Sequence, residues 1–203
     1  MMEIISILIS VIALLVSLIT LWLTRFRKGT IKMTKPTVIF FGPDGSGKEH
    51  NKIFIRTLLY STSDRGQYIE NMYIKLSCGE MTQNFNIWVY GDQHNLARGS
   101  GLFVSKDGLA TNHHFLLPND SLSFIFKQGD YKLEVYAELV NEKPRKIYTQ
   151  NLAVSDTQAE ALLTKEAGIY FDWAPNTQSY QSHIDKRPTK APDFAELMKH
   201  LKV

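Results

Sequence analysis

Two stretches of this sequence carry residue types at spacings that could do chemistry. Gly42-Pro43-Asp44-Gly45-Ser46-Gly47-Lys48 fits GxxxxGK, the loop whose glycine amides and lysine cradle a polyphosphate, and the apolar run 37–41 ahead of it reads as the strand such a loop follows. Asp92, after the apolar run 87–89, stands where a magnesium-organising acid would stand. Three features oppose the match. Position 49 is Glu, which has no hydroxyl for the metal. Pro43 removes a backbone donor and Asp44 repels phosphate, and the run after the loop is β-branched, not the helix whose N-terminus stabilises the anion. The second stretch is Asn112-His113-His114, with Asp92, His94 and Asp107 as possible companions. Neighbouring residues of a strand point to opposite faces, so the two imidazoles do not share an ion there, and no HExxH, CxxC or EF-hand spacing supports a metal. Ser46, Ser100 and Cys78 lack a GxSxG elbow or an identifiable base. No catalytic residue, cofactor or metal site is therefore assigned. The competing reading is a nucleotide- or metal-dependent enzyme or sensor built on the GxxxxGK-like loop or on His113 and His114.

The strongest physical signal lies elsewhere. Residues 4–23 are uncharged and almost wholly apolar, and as a helix they reach about 30 Å, the thickness of a bilayer core. Met1, Met2 and Glu3 precede the run, while Arg25, Arg27, Lys28, Lys32 and Lys35 follow it. A cleavable signal peptide has the opposite arrangement. The positive-inside bias predicts a retained single-pass anchor in the cell membrane, N-terminus out and the remaining chain cytoplasmic, with Trp22 and Phe26 at headgroup level. Ser6, Ser10, Ala13, Ser17, Thr20 and Thr24 recur every three or four residues on one helical stripe. Small residues so spaced let helices pack closely in lipid, which predicts a homo-oligomer or a partner membrane helix. The alternative is that each hydroxyl bonds back to its own helix.

Residues 1–35 carry five basic groups and one acid, so the chain's +3 leaves −1 for residues 36–203. The basicity belongs to the membrane flank. Arg25, Arg27 and Lys28 suit anionic lipid, and nothing supports nucleic-acid binding by the folded part. A lone Cys78 excludes an intrachain disulfide and fits a reducing compartment.

The elements after the anchor read as β-strands: runs at 37–41, 52–60, 70–76, 85–90, 101–104, 114–117, 121–126, 131–139 and 146–154, separated by turn-rich pieces such as Cys78-Gly79-Glu80 and Gln128-Gly129-Asp130. Without long amphipathic helices between them, they predict a mainly β, antiparallel sandwich. Gly129-Asp130-Tyr131-Lys132-Leu133 resembles the start of strand F in immunoglobulin-like and fibronectin-like sandwiches. That resemblance implies that Tyr131 is a corner tyrosine bonding upstream backbone and that Leu133 is core. It implies a fold and no function, and the chain lacks the paired cysteines of antibody domains. Trp88, Tyr90, Phe103, Tyr170, Phe171 and Trp173 read as core before recognition surface.

Ser155-Asp156-Thr157-Gln158 is a capping box opening a short helix, with a last strand or strap at 169–173. The expected organisation is an anchor with its basic flank at 1–28, a juxtamembrane linker at 29–35, the sandwich at 36–173, a flexible linker at 174–191 and an amphipathic helix at 192–203. Phe194, Leu197, Met198 and Leu201 share one face of that last helix. It is too short to stand alone in water, and docks either on its own sandwich or in a protein partner's groove. The sequence therefore predicts a membrane-anchored, non-catalytic interaction or scaffolding subunit.

Overall fold

The computed structural model describes residues 2–44, 51–92, 95–118, 124–164 and 167–186. The chain opens with helix α1 (Met2–Leu21) and runs on into a π-helical turn, Trp22–Phe26. Together they form a 25-residue apolar helix, long enough to cross a membrane. The turn closes with Arg27 N–H donating to Trp22 C=O at 2.9 Å. The Thr24 hydroxyl takes the Thr20 carbonyl at 2.8 Å, competing with the backbone for the ordinary i−4 acceptor.

After the helix come β1 (Ile31–Met33), β2 (Val38–Pro43), β3 (Asn51–Ser61), β4 (Gln67–Cys78), β5 (Met81–Phe85), β6 (Ile87–Tyr90), β7 (Ala97–Arg98), β8 (Leu102–Val104), β9 (Leu109–Leu116), β10 (Gly129–Leu139) and β11 (Arg145–Val154). A short helix α2 (Asp156–Leu162) precedes β12 (Ala167–Ala174) and β13 (Ser179–Lys186). The strands form two antiparallel sheets. The larger runs β13-β12-β2-β3-β9-β6-β7 with β1 also on β3; the smaller runs β11-β10-β4-β5 with β8 also on β4.

Alternation explains the pairing. In β3, Ile53, Ile55, Thr57 and Leu59 are buried, and in β4, Ile69, Met72, Ile74 and Leu76 are. One core fills the space between the sheets: Phe41 stacks on Phe126 at 4.9 Å and meets Tyr131 of the facing sheet at 5.9 Å. The Tyr131 hydroxyl donates to Lys127 C=O and accepts from Lys127 N–H, both at 2.7 Å, which anchors the approach to β10. Burial pushes that phenol up to about 12.

The larger sheet's other face carries a row of rings in register. His183, Tyr170, Phe40, Phe54 and His114 stand on adjacent strands, with Tyr170–His183 at 5.4 Å, Phe40–Tyr170 at 4.7 Å and Phe54–His114 at 5.0 Å. Phe40 lies flat because glycine lies beneath it: a Cβ on Gly168 would sit 2.1 Å from its ring.

Two segments expected to be linkers contain strands among their described residues. In 29–35, Ile31 and Met33 are buried and β1 pairs with the end of β3, Ile31 facing Ser61. In 174–191, Ser179–Lys186 is a full edge strand on β12. Tyr180 and Ile184 alternate inward against the core, the Tyr180 hydroxyl reaches Pro36 C=O at 2.7 Å, and Ser182 accepts from Gln158 at 2.8 Å. Two apolar residues at period two, with a satisfied backbone ladder, suffice for a strand in an otherwise polar run. The capping box forms, with Ser155 and Gln158 reciprocally bonded. The run 121–126 contributes no strand among its described residues, 124–126, although Phe124 and Phe126 are buried.

Candidate membrane-facing site

The body is joined to the N-terminal apolar helix by a very short connection. Arg27 and Lys28 separate the π turn from Gly29, and there the chain is pinned. Gln67 Nε2 donates to Gly29 C=O. Thr30 N–H donates to Thr62 Oγ1 at 2.8 Å, and Thr62 N–H to Thr30 C=O at 3.0 Å. Gly29 itself lies so close to Ser63 that a Cβ would come within 2.6 Å of its backbone nitrogen. Arg65 reaches back to the helix end, donating to Arg25 C=O at 3.2 Å. Three residues of extended chain span at most about 10 Å, so the loop after β3 is held within about one Debye length of the end of the apolar helix.

This end of the body carries an aromatic ledge. Tyr68 of β4 and Phe103 of β8 are directly opposed in register, ring centroids 4.9 Å apart, and point away from the core. They are 59% and 47% exposed, and Val140, whose N–H donates to Tyr68 C=O, is 51% exposed. Beyond the anchor, large apolar side chains exposed among the described residues are Tyr68, Leu96, Phe103, Ile125, Val140 and Leu163. Half of them are gathered here. Gly66 makes the ledge possible: its φ is +64°, and a side chain would strike the Phe103 ring at 2.5 Å.

Below the ledge is an open cleft of about 300 Å³ lined by Lys28, Arg65, Gln67, Tyr68, Phe103 and Val140, among others. Its electrostatics are positive. Asp64 is taken up by Lys106 at 2.7 Å, which raises the lysine's pKa, and Glu142 by Arg145 at 2.9 Å. Lys28 and Arg65 line the cleft itself. A second recess of about 190 Å³, lined by Leu23, Thr24, Arg27 and Ser63 among others, lies between the helix end and the body. Such a surface can take anionic oxygen against its cations and an apolar chain against its rings.

The residues singled out by sequence are dispersed. Gly42 and Pro43 end β2, and Gly45–Lys48, with Ser46, lies outside the described residues, as does His94. The segment after the loop is strand β3, as its β-branched composition predicts. Asp92 is engaged on the larger sheet's outer face, accepting from Asn112 at 3.0 Å beside Arg56 at 3.9 Å. His113 and His114 do face opposite ways. His113 is fully buried, its Nδ1 accepting from Trp88 Nε1 at 3.1 Å, while His114 stacks on Phe54. Burial, reinforced by the neighbouring His114, lowers the His113 pKa from 6.5 to about 4. Cys78 is a half-buried thiol at the far end of β4, against Gly129. Among the described residues no three His, Cys, Asp or Glu side chains gather as a metal site would need.

On the anchor, Ser10, Ser17, Thr20 and Thr24 bond the carbonyls of Ser6, Ala13, Val16 and Thr20. Lys28 lines the cleft under the ledge, Arg27 lines the second recess, and Arg25 gives its carbonyl to Arg65. Phe194, Leu197, Met198 and Leu201 lie outside the described residues. Trp88 and Phe171 are core as expected, but Phe103 is not: β8 is an edge strand, and its outward position faces solvent. The sequence reading missed Tyr68, Arg65 and Val140. Tyr68 breaks the apolar alternation of β4 one residue before Ile69, which was the available signal.

No protein-family model, curated protein or solved structure matches the chain.

Proposed function

We propose that this chain is a single-pass, membrane-anchored, non-catalytic binding subunit, N-terminus outside and body cytoplasmic. Its body is an immunoglobulin-like sandwich held close against the membrane. The pinning of Gly29 and Thr30 to Thr62, Ser63 and Gln67 carries this reading. A body fixed so near its anchor keeps whatever it binds at the membrane and makes weak contacts effectively intramolecular. The Tyr131–Lys127 corner supports the sandwich type. The stripe from Ser6 to Thr24 joins anchors into an oligomer, and the amphipathic pattern at Phe194, Leu197, Met198 and Leu201 recruits a protein partner. Separation of His113 from His114 disfavours a shared metal site in that region.

The test is protease protection in sealed right-side-out vesicles carrying a C-terminally tagged chain. The tag should survive until detergent is added. Digestion in intact vesicles would reverse the topology, and a mature chain released into water without its first two dozen residues would remove the anchor.

A further inference from the structure

We propose, resting on the anchored reading above, that the anchor end of the body docks onto the anionic headgroup layer of the same bilayer, with Tyr68 and Phe103 seated among the headgroups and Lys28 and Arg65 paired with lipid phosphates. The occupant follows from three independent observations. Continuity is the first: Gly29 is pinned three residues after the membrane helix, and Arg65 bonds the Arg25 carbonyl, so this face cannot leave the bilayer surface while the helix is inserted. Composition is the second. A ring with one polar end, such as that of Tyr68, settles at headgroup depth, and the outward Phe103 and Val140 beside it concentrate exposed apolar surface at this end of the body. Charge is the third, because Glu142 of the cleft is engaged by Arg145 and Asp64 of the neighbouring recess by Lys106, while Lys28 and Arg65 line the cleft and Arg25 and Arg27 belong to the adjacent flank. Each basic residue near an anionic leaflet favours the docked population about fivefold. A peptide or small ligand in the cleft would have to enter a space that the membrane itself closes.

The proposal is tested with the full chain in sealed vesicles, using a Cys78→Ser background and a spin label placed singly at Tyr68→Cys, Phe103→Cys, Leu15→Cys or Glu80→Cys. Leu15 lies mid-anchor, and Glu80 follows the 12-residue β4 at the opposite end of the body. Collision with oxygen, which prefers lipid, and with a water-soluble nickel chelate reads depth. In vesicles of phosphatidylcholine with phosphatidylserine, labels at 68 and 103 should be shielded from the chelate relative to 80. That shielding should fall in pure phosphatidylcholine and, by about fivefold per residue in docked-to-undocked ratio, with Lys28→Ala or Arg65→Ala. A label at 15 in lipid with labels at 68 and 103 as wet as 80 overturns the docking proposal alone. A wet label at 15 overturns the anchored reading and the docking with it. Equal depth in both lipid mixtures, whose lipids all carry phosphate, overturns the dependence on an anionic headgroup layer, and unchanged depth with Lys28→Ala and Arg65→Ala overturns the pairing of those residues with phosphate.

Discussion

Acidification from neutral pH to about 4 should weaken this protein through His113. Its Nδ1 accepts the Trp88 indole N–H, which can only donate, so the neutral ring carries its proton on Nε2, where no described residue accepts it. A second proton would have to go on Nδ1, break the Trp88 bond and leave a cation at a site with no solvent exposure. The folded pKa is accordingly about 4 against 6.5 for an ordinary imidazole. Above pH 6.5 both states are neutral there and the group contributes no pH dependence. Below it the unfolded chain binds the proton first, so stability falls until the folded pKa is reached. The gap is worth about 3 kcal/mol at roughly 1.4 kcal/mol per pH unit. For a body of this size that is a fall of about 6–12 °C in Tm. Thermal melts of the full chain in nanodiscs, stepped from neutral to acid, measure the slope for wild type and for His113→Asn. Asparagine keeps an acceptor near Nδ1 and does not titrate. The variant should be less stable at neutral pH because of the lost ring, yet flatter with pH by about 3 kcal/mol over the interval, so that the deficit shrinks on acidification. Identical slopes in the two proteins would refute the assignment.

Removing the Tyr131 hydroxyl as Tyr131→Phe takes away both bonds to Lys127 and should cost about 1–3 kcal/mol in denaturant unfolding; no loss would mean the corner is not holding β10. Gly168→Ala pushes a methyl into the Phe40 ring and should cost about 1–3 kcal/mol, with Phe40→Leu in the same chain recovering part of it; additive losses would refute the contact. Replacing Ser10, Ala13 and Ser17 together by Leu should abolish detergent-resistant oligomers, since the serine hydroxyls are already satisfied within their own helix and only close approach would be lost. Unchanged oligomer size would assign the stripe to local hydroxyl bonding alone.

The N-terminal apolar helix, the strands with strict alternation and the capping box of α2 were legible because each rests on local periodicity: twenty apolar residues, the buried Ile53, Ile55 and Leu59 of β3, and Ser155 with Gln158. The short strand β1 was not, because three residues carry no period and its identity as a strand comes from Ser61 and Leu59 across the ladder. Strand β13 was hidden by polar composition, its two inward apolar residues becoming informative only beside β12. Phe103 and Tyr68 illustrate the same limit from the other side. An aromatic at an alternating strand position reads as core, and only the sheet order, which puts β8 at the margin beside β4, turns the pair outward. The candidate site is therefore a product of tertiary placement: of its cations Lys28, with the flanking Arg25 and Arg27, is visible in the chain while Arg65 is not, and the outward turn of its rings is not.

The two-residue joint at Arg27 and Lys28 also has a mechanical meaning. Because Gly29 is seated against Ser63, a twist of the N-terminal apolar helix about its long axis would be carried into β1 and β3 as torque. The far rim near Gly79 and Gly129 would then sweep an arc like the end of a lever, so a rearrangement inside the lipid could be read out by whatever grips that rim.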